Sequence, residues 1–427
     1  MQYGSLERRI ATALDGFPNL RRGVKFLYQR CNYLLSGKSA VSVDLRPECS
    51  IRPVLQGVQG DPGCFFGYFD KSPWSPCSRY YLLHVLSEES GGRVRLACYD
   101  FETNDTTVFQ ESRAWNYQQG CMLQWQPGDG LKVVFNDVVG RRLVARIVDP
   151  FSGTEEALLD APIQVLSPDG KTALSLNYKR LYRLRPEYGY APEVNNFSAD
   201  MEPTGDGIWK VDLLSGTTCL ILSLEQLTTF QPRQDMRGAA HKVNHLLYSP
   251  GGERFAFMHR WIGPKGKFSR LYTANADGSD LRLLADDRMV SHYAWKDSGQ
   301  LLAWARKEPW GDHYYLFEDP SGTFRIIGEG VFDLHGDGHP GFSPDGRWIV
   351  TDTYPDKARM RALLLWDTHR ERVVTVGRFF APWRFDEAQR CDLHPRWHPN
   401  GKMLSIDSVH EGIRRTYVIN VEQIVAS

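Results

Sequence analysis

At four places in the chain a histidine stands three residues ahead of an aromatic, and a turn follows. The pairs are His245 and Tyr248, His292 and Trp295, His339 and Phe342, and His394 and Trp397. Four of only twelve histidines share this register, which a packing role at one site would not produce. Neutral imidazoles ligate manganese, zinc or iron, and three or four on one rim can hold an ion with an open coordination position. Imidazolium and guanidinium groups, alone or beside such an ion, neutralise an anion in a water-poor site.

The elements that must carry these histidines are short and repeated. YFDKSPWSPCSRYYLLHV (68–85), CMLQWQPGDGLKVVFND (121–137), IQVLSPDGKTALSLNY (163–178) and HLLYSPGGERFAFMHR (245–260) share one shape. HYAWKDSGQLLAWAR (292–306), HPGFSPDGRW (339–348) and HPRWHPNGKM (394–403) repeat it. Each is an apolar strand, a Ser/Pro/Asp/Gly turn and an alternating second strand. Further strands follow, as in RLYTANADGSDLRLLA (270–285) and ALLLWDTHRERVVTVG (362–377). Seven copies of about four strands, roughly 40–55 residues apart, predict an all-β, seven-bladed β-propeller. A β-sandwich would impose no such register.

Residues 1–38 differ from the rest. Arg8, Arg9, Arg21, Arg22, Lys25, Arg30 and Lys38 face only Glu7 and Asp15, and Val24, Leu27, Tyr28, Cys31, Leu34 and Leu35 recur at helical spacing. This basic amphipathic extension is expected to pack on its own domain, with an anionic membrane surface or a protein partner as the alternative. The propeller spans 39–427. Its last blade ends with only EQIVAS to spare, so SAVSVDLRP (39–47) is expected to supply the missing outer strand, against a competing C-terminal strand at 421–426.

Lys+Arg and Asp+Glu are both 51, so the overall charge does not point to nucleic acid. Eight scattered cysteines without a C-x-x-C pair suit a reducing compartment. With no signal-type apolar core and no run of about 18 apolar residues, a soluble, cytoplasmic protein is expected. G-x-S-x-G, P-loop and G-x-G-x-x-G motifs are missing, which removes the serine hydrolase, kinase and dinucleotide readings.

In blades one to three the histidine position is held by Lys71, Met122 and Ile163. First strands of a propeller are innermost, so these positions surround one axis, and second strands end on the same face. That face gathers Asn177, Tyr178, Lys179, Arg180, His259, Arg260, Arg306, Lys307, Asp352, Tyr354, His410 and Glu411. Imidazoles, cations and tyrosines converging there suit an acidic ligand, with Lys71, Arg260, Arg306, Tyr354 and His410 as its binding residues. Neutralising a uronate carboxylate acidifies the C5 proton, which a Tyr or His base removes while O4 leaves. Hydrolysis by paired carboxylates fits less well, because Asp352, Asp392 and Glu411 are the only acids placed on the rim.

The SPDG turns look like those of TolB-type propellers. SHYAW in blade five and CDLHPRWHPNGK, followed by SIDS, in blade seven resemble oligogalacturonate lyases and, more distantly, propeller ulvan lyases. The resemblance implies β-elimination on uronate-containing oligo- or polysaccharide. It also implies a manganese site, with zinc or calcium as alternatives, held by His292, His394 and Gln389, with Asp392 where the family has a histidine. A catalytic group of Tyr178, Arg180, His245 and His339 is expected, Tyr178 by likeness to the His/Tyr pair of ulvan lyases. The alternative is a non-catalytic propeller that binds an acidic glycan or a protein partner in polysaccharide biosynthesis.

Overall fold

The computed structural model describes residues 18–35, 42–55, 63–86, 91–128, 130–190 and 203–427. Residues 1–17 and 36–38 of the expected extension, and 39–41 of the expected closing strand, lie outside them. Seven antiparallel sheets follow one another along the chain, each with its first strand at one edge. The protein is an all-β, seven-bladed propeller preceded by an 18-residue helix, Pro18–Leu35.

The repeated sequence features explain how the blades join. In blades two, five and seven the tryptophan before the turn reaches back to the inner strand of the preceding blade. The Trp125 indole donates to the Pro73 carbonyl (2.8 Å), Trp295 to Leu247 (3.1 Å) and Trp397 to Gly341 (3.1 Å). Polar residues on second strands reach forward. The Asn136 amide exchanges two 2.8 Å bonds with the Ile163 backbone, joining blades two and three. Asp352 accepts the Leu393 and His394 N–H groups, and Asp407 those of Phe66 and Gly67. These latches satisfy backbone donors that would otherwise be buried unpaired where the inner strands begin.

Closure differs from the sequence expectation. Ser50–Pro53 pairs with Arg415–Asn420 and completes blade seven. Val43–Leu45, inside the segment expected to do this, instead pairs with blade six as its fifth strand, against Gly377–Phe379. Glu422–Val425, the competing candidate, is a short helix. Alternation marks a strand, but a turn at 46–49 decides which edge it reaches. The physical requirement, that no bare edge remains in the last blade, is met by the neighbouring segment.

Blade one is interrupted. Cys64–Phe65 starts its inner strand, Trp74 resumes it as a single bridge to Tyr81, and the intervening residues leave the sheet. Blade three carries an insertion after its second strand. Helix Tyr178–Leu184, capped by the Asn177 side chain accepting from the Arg180 N–H, leads into a turn at Pro186–Tyr188. Both departures feed the channel.

Candidate functional site

In blades four and five the inner strand is bulged at the histidine. Register shifts fall between Asn244 and Leu247 and between Val290 and Tyr293, and His245 (φ +56°) and His394 (φ +44°) adopt left-handed backbone. A non-glycine residue in that region carries strain that a bulge can hold, and it re-aims the side chain. Four imidazoles meet in the channel as a result. His292 and His339 have ring centroids 4.2 Å apart, and His339 and His394 4.4 Å.

Tyr68, from the loop that leaves blade one, fills the centre of this group. Its ring lies 4.8 Å from His245, 4.9 Å from His394, 5.9 Å from His339 and 6.5 Å from His292. Its hydroxyl bonds to His245 Nε2 at 3.2 Å. Phe69 packs beside it against His292 and His339. The opposite end of the channel is a funnel of about 320 Å³ that includes Asp70, Tyr248 and Trp295.

Each of three imidazoles is oriented through Nδ1. His339 bonds to Asp352 (2.7 Å), His292 to Asp337 (2.9 Å) and His394 to the Gly67 carbonyl (2.8 Å). Such outer partners fix the tautomer and direct Nε2 to a ligand. Nε2 of His339 and of His394 is buried without a partner. With Asp392 they bring ligand atoms within 4.8 Å of one another. These residues fit a divalent cation: two orphaned, oriented imidazole nitrogens and one carboxylate. Arg361 (2.6 Å) and Arg390 (2.7 Å) hold that carboxylate. Burial alone would raise the Asp392 pKa, but the two guanidinium groups keep it well below the usual carboxylate range. Burial drives His245 and His394 well below the ordinary imidazole value, so both are neutral near pH 7.

A cationic group adjoins the histidines. Lys242 and Arg260 are directly paired across neighbouring strands of blade four, a like-charge placement that disfavours folding unless an anion relieves it. Arg185, from the blade-three insertion, lies 4.1 Å over the Tyr188 ring, and Tyr188 meets His245 edge-on at 5.5 Å. Among the described residues none of these three cations has a carboxylate within ion-pairing distance. Burial, then Arg185 and Arg260, lowers the Lys242 pKa to about 7, and burial with Arg185 lowers Arg260 to about 10. Tyr354 lies 6.3 Å from His339, its phenol pushed well up by burial and by Asp337. A cleft of about 570 Å³ runs outward from Asp337 and Tyr354 past Trp304 to Arg378.

The remaining expected site residues are placed elsewhere. Tyr178 is buried, stacks on Tyr190 and donates its hydroxyl to the Ile163 carbonyl and Gln164. Arg180 is ion-paired with Asp206, Lys71 with Asp70 (3.0 Å) and Arg306 with Asp312 (2.6 Å). His410 bonds to Ser408 and packs on Tyr417, Gln389 is exposed on a short turn, and Glu411 pairs with Arg415. Hairpin geometry accounts for these differences. A second-strand end reaches the right face, but the loop after it can turn its side chain into the blade or into solvent. Sequence reasoning missed Tyr68, Arg185, Tyr188, Lys242, Arg361 and Arg390. The available signal for Arg185 and Tyr188 was the 30 residues between Leu176 and Gly207, far too many for a hairpin.

No family model and no curated protein matches the chain. Among solved structures, an oligogalacturonate lyase from Vibrio parahaemolyticus is 14% identical over 90% of this chain and 99% of that one, with a TM-score of 0.60. An oligogalacturonate lyase in complex with manganese is 16% identical over 91% and 100%, with a TM-score of 0.61. TolB from Acinetobacter baumannii overlaps more loosely, 16% identical over 71% and 64%, with a TM-score of 0.40. At these identities the likeness establishes the fold: a seven-bladed propeller of the kind those lyases adopt.

Proposed function

We propose that this propeller is a carbohydrate-active lyase that cleaves uronate-containing oligosaccharides by β-elimination at the histidine face. The observation that carries the reading is the trio Arg185, Lys242 and Arg260, cations without an acidic partner among the described residues, set beside the histidines. Arg185 and Arg260 bind the sugar carboxylate, and binding it offsets their mutual repulsion. Lys242, with a pKa near operating pH, removes the C5 proton as a neutral amine. Tyr354, protonated at that pH, donates a proton toward the departing O4. A divalent cation, manganese foremost, would be held by His339, His394 and Asp392 and supplies Lewis-acid neutralisation of a carboxylate when bound. The adjoining cleft receives neighbouring sugar units.

Burial favours a second reading. Tyr68 and the four histidines are at most 5% exposed, a degree of closure that suits an acidic-glycan binder in polysaccharide biosynthesis as well as an enzyme. All eight cysteines are free, in keeping with a cytoplasmic setting and imported oligosaccharides. The deciding experiment incubates the protein with a panel of uronate oligosaccharides, with and without manganese, and follows the ultraviolet absorbance of the unsaturated product. Turnover that Lys242→Met removes is the expected result. Tight binding with no unsaturated product from any substrate replaces the lyase with the binding module.

A further inference from the structure

The helix Pro18–Leu35 docks on the propeller by one side. Tyr33 packs on Phe380 (6.3 Å) and edge-on against Trp383 (5.7 Å), and the Arg30 guanidinium lies 4.7 Å over the Trp383 ring. Val24, Leu27, Cys31 and Leu34, spaced three, four and three residues apart, form a stripe on another side, and all four are exposed. Leu27 is 63% and Leu34 70% exposed. Of the six residues of the expected stripe these four are exposed and Tyr28 is half-buried, and the side chain of Leu35 lies outside the described ones. The docked side is the one carrying Tyr33.

Charge decides what suits the free side. Besides Arg30, which is engaged with Trp383, the helix sequence contains Arg21, Arg22 and Lys25 and no aspartate or glutamate, in a chain whose net charge is zero. A solvated helix on a balanced protein has no need of that excess. A basic, amphipathic helix with aliphatic residues on its free face is the arrangement that lies in the headgroup region of an anionic bilayer. We infer that Pro18–Leu35 is a peripheral docking element for an anionic lipid surface. No helix among the described residues is long and apolar enough to cross a membrane, so the contact is interfacial. The segment 381–390, which carries Trp383, leads directly into Asp392 and His394.

The test is co-sedimentation of the full chain with vesicles of phosphatidylcholine alone or with about one-third phosphatidylglycerol, at low and high salt. At least about fivefold more protein should pellet with the anionic vesicles at low salt, and the excess should fall as salt screens the cations. Leu27→Glu/Leu34→Glu should return pelleting to the neutral-vesicle level while the thermal melt stays unchanged, since both side chains are exposed. Equal pelleting with both vesicles overturns the inference. So does a double variant that still binds. A concentration-dependent dimer that the double variant breaks, without lipid binding, overturns it in favour of a second copy of the chain.

Discussion

Blades one to three and blades four to seven share one backbone position and use it differently. Met122 has the same left-handed backbone (φ +58°) as His245 (φ +56°), yet its side chain is buried in an apolar cluster. Ile163 is fully buried and latched to Asn136. In the second half the same position carries four histidines with polar partners, and His245, His339 and His394 each keep one buried ring nitrogen without a partner. The left-handed backbone thus recurs in both halves, and the chemistry is a property of the side chain it presents. Blade one then breaks the pseudo-symmetry by sending Tyr68 into the ring.

The sharpest division of the two halves is made by removing side chains from each. His339→Ala/His394→Ala should cut turnover at least about a thousandfold, roughly 4 kcal/mol of transition-state stabilisation. Steady-state product absorbance and manganese titration check it, and metal affinity should fall in parallel. Ile163→Ala, at the equivalent scaffold position, should instead cost about 2–5 kcal/mol of folding stability. Turnover per folded molecule should survive, and its loss in a fully folded variant would erase the distinction between the halves.

Two further variants probe the cations that flank the histidine half. Arg260→Met should raise KM about tenfold, roughly 1.4 kcal/mol, with a lesser change in kcat, because it removes ground-state binding of the carboxylate. An unchanged KM would remove the anion subsite from blade four. Lys242→Met should stabilise the free protein at pH 7 by up to about 5 kcal/mol. The sign follows from its pKa, about 7 in the fold against an ordinary 10.5. Between those values the unfolded chain holds a proton that the folded one lacks, so wild-type stability rises with pH across that window. The advantage of the variant is therefore full below about pH 7 and gone by about 10.5, which urea melts at several pH values read directly.

The repeat count, the turns and the histidine register were legible because each depends on local chemistry: alternating apolar residues, Pro/Gly turns, and one residue type at one offset. Gln389 and Asp392 lie three positions apart in one stretch, and the sequence treats them alike. In the structure Asp392 joins His339 and His394, while Gln389 stays on an exposed turn. Tyr178 follows a second strand and Arg260 lies near the end of one, yet Tyr178 begins a helix and turns into the core. Closure by Ser50–Pro53 in place of 39–47 is a choice between adjacent strand-forming segments that local pattern does not rank.

The sequence by itself determined the class of fold and the four imidazoles that face one axis, since periodicity and turn chemistry act over a few residues. Only the tertiary structure decided what surrounds them. Tyr68 and His394 are separated by 326 residues, and Lys242 meets Arg185 through an insertion in another blade. A ring of blades converts such distances along the chain into contact at the channel, so which cation lacks a partner, and which histidine nitrogen is left bare, is settled by closure of the ring.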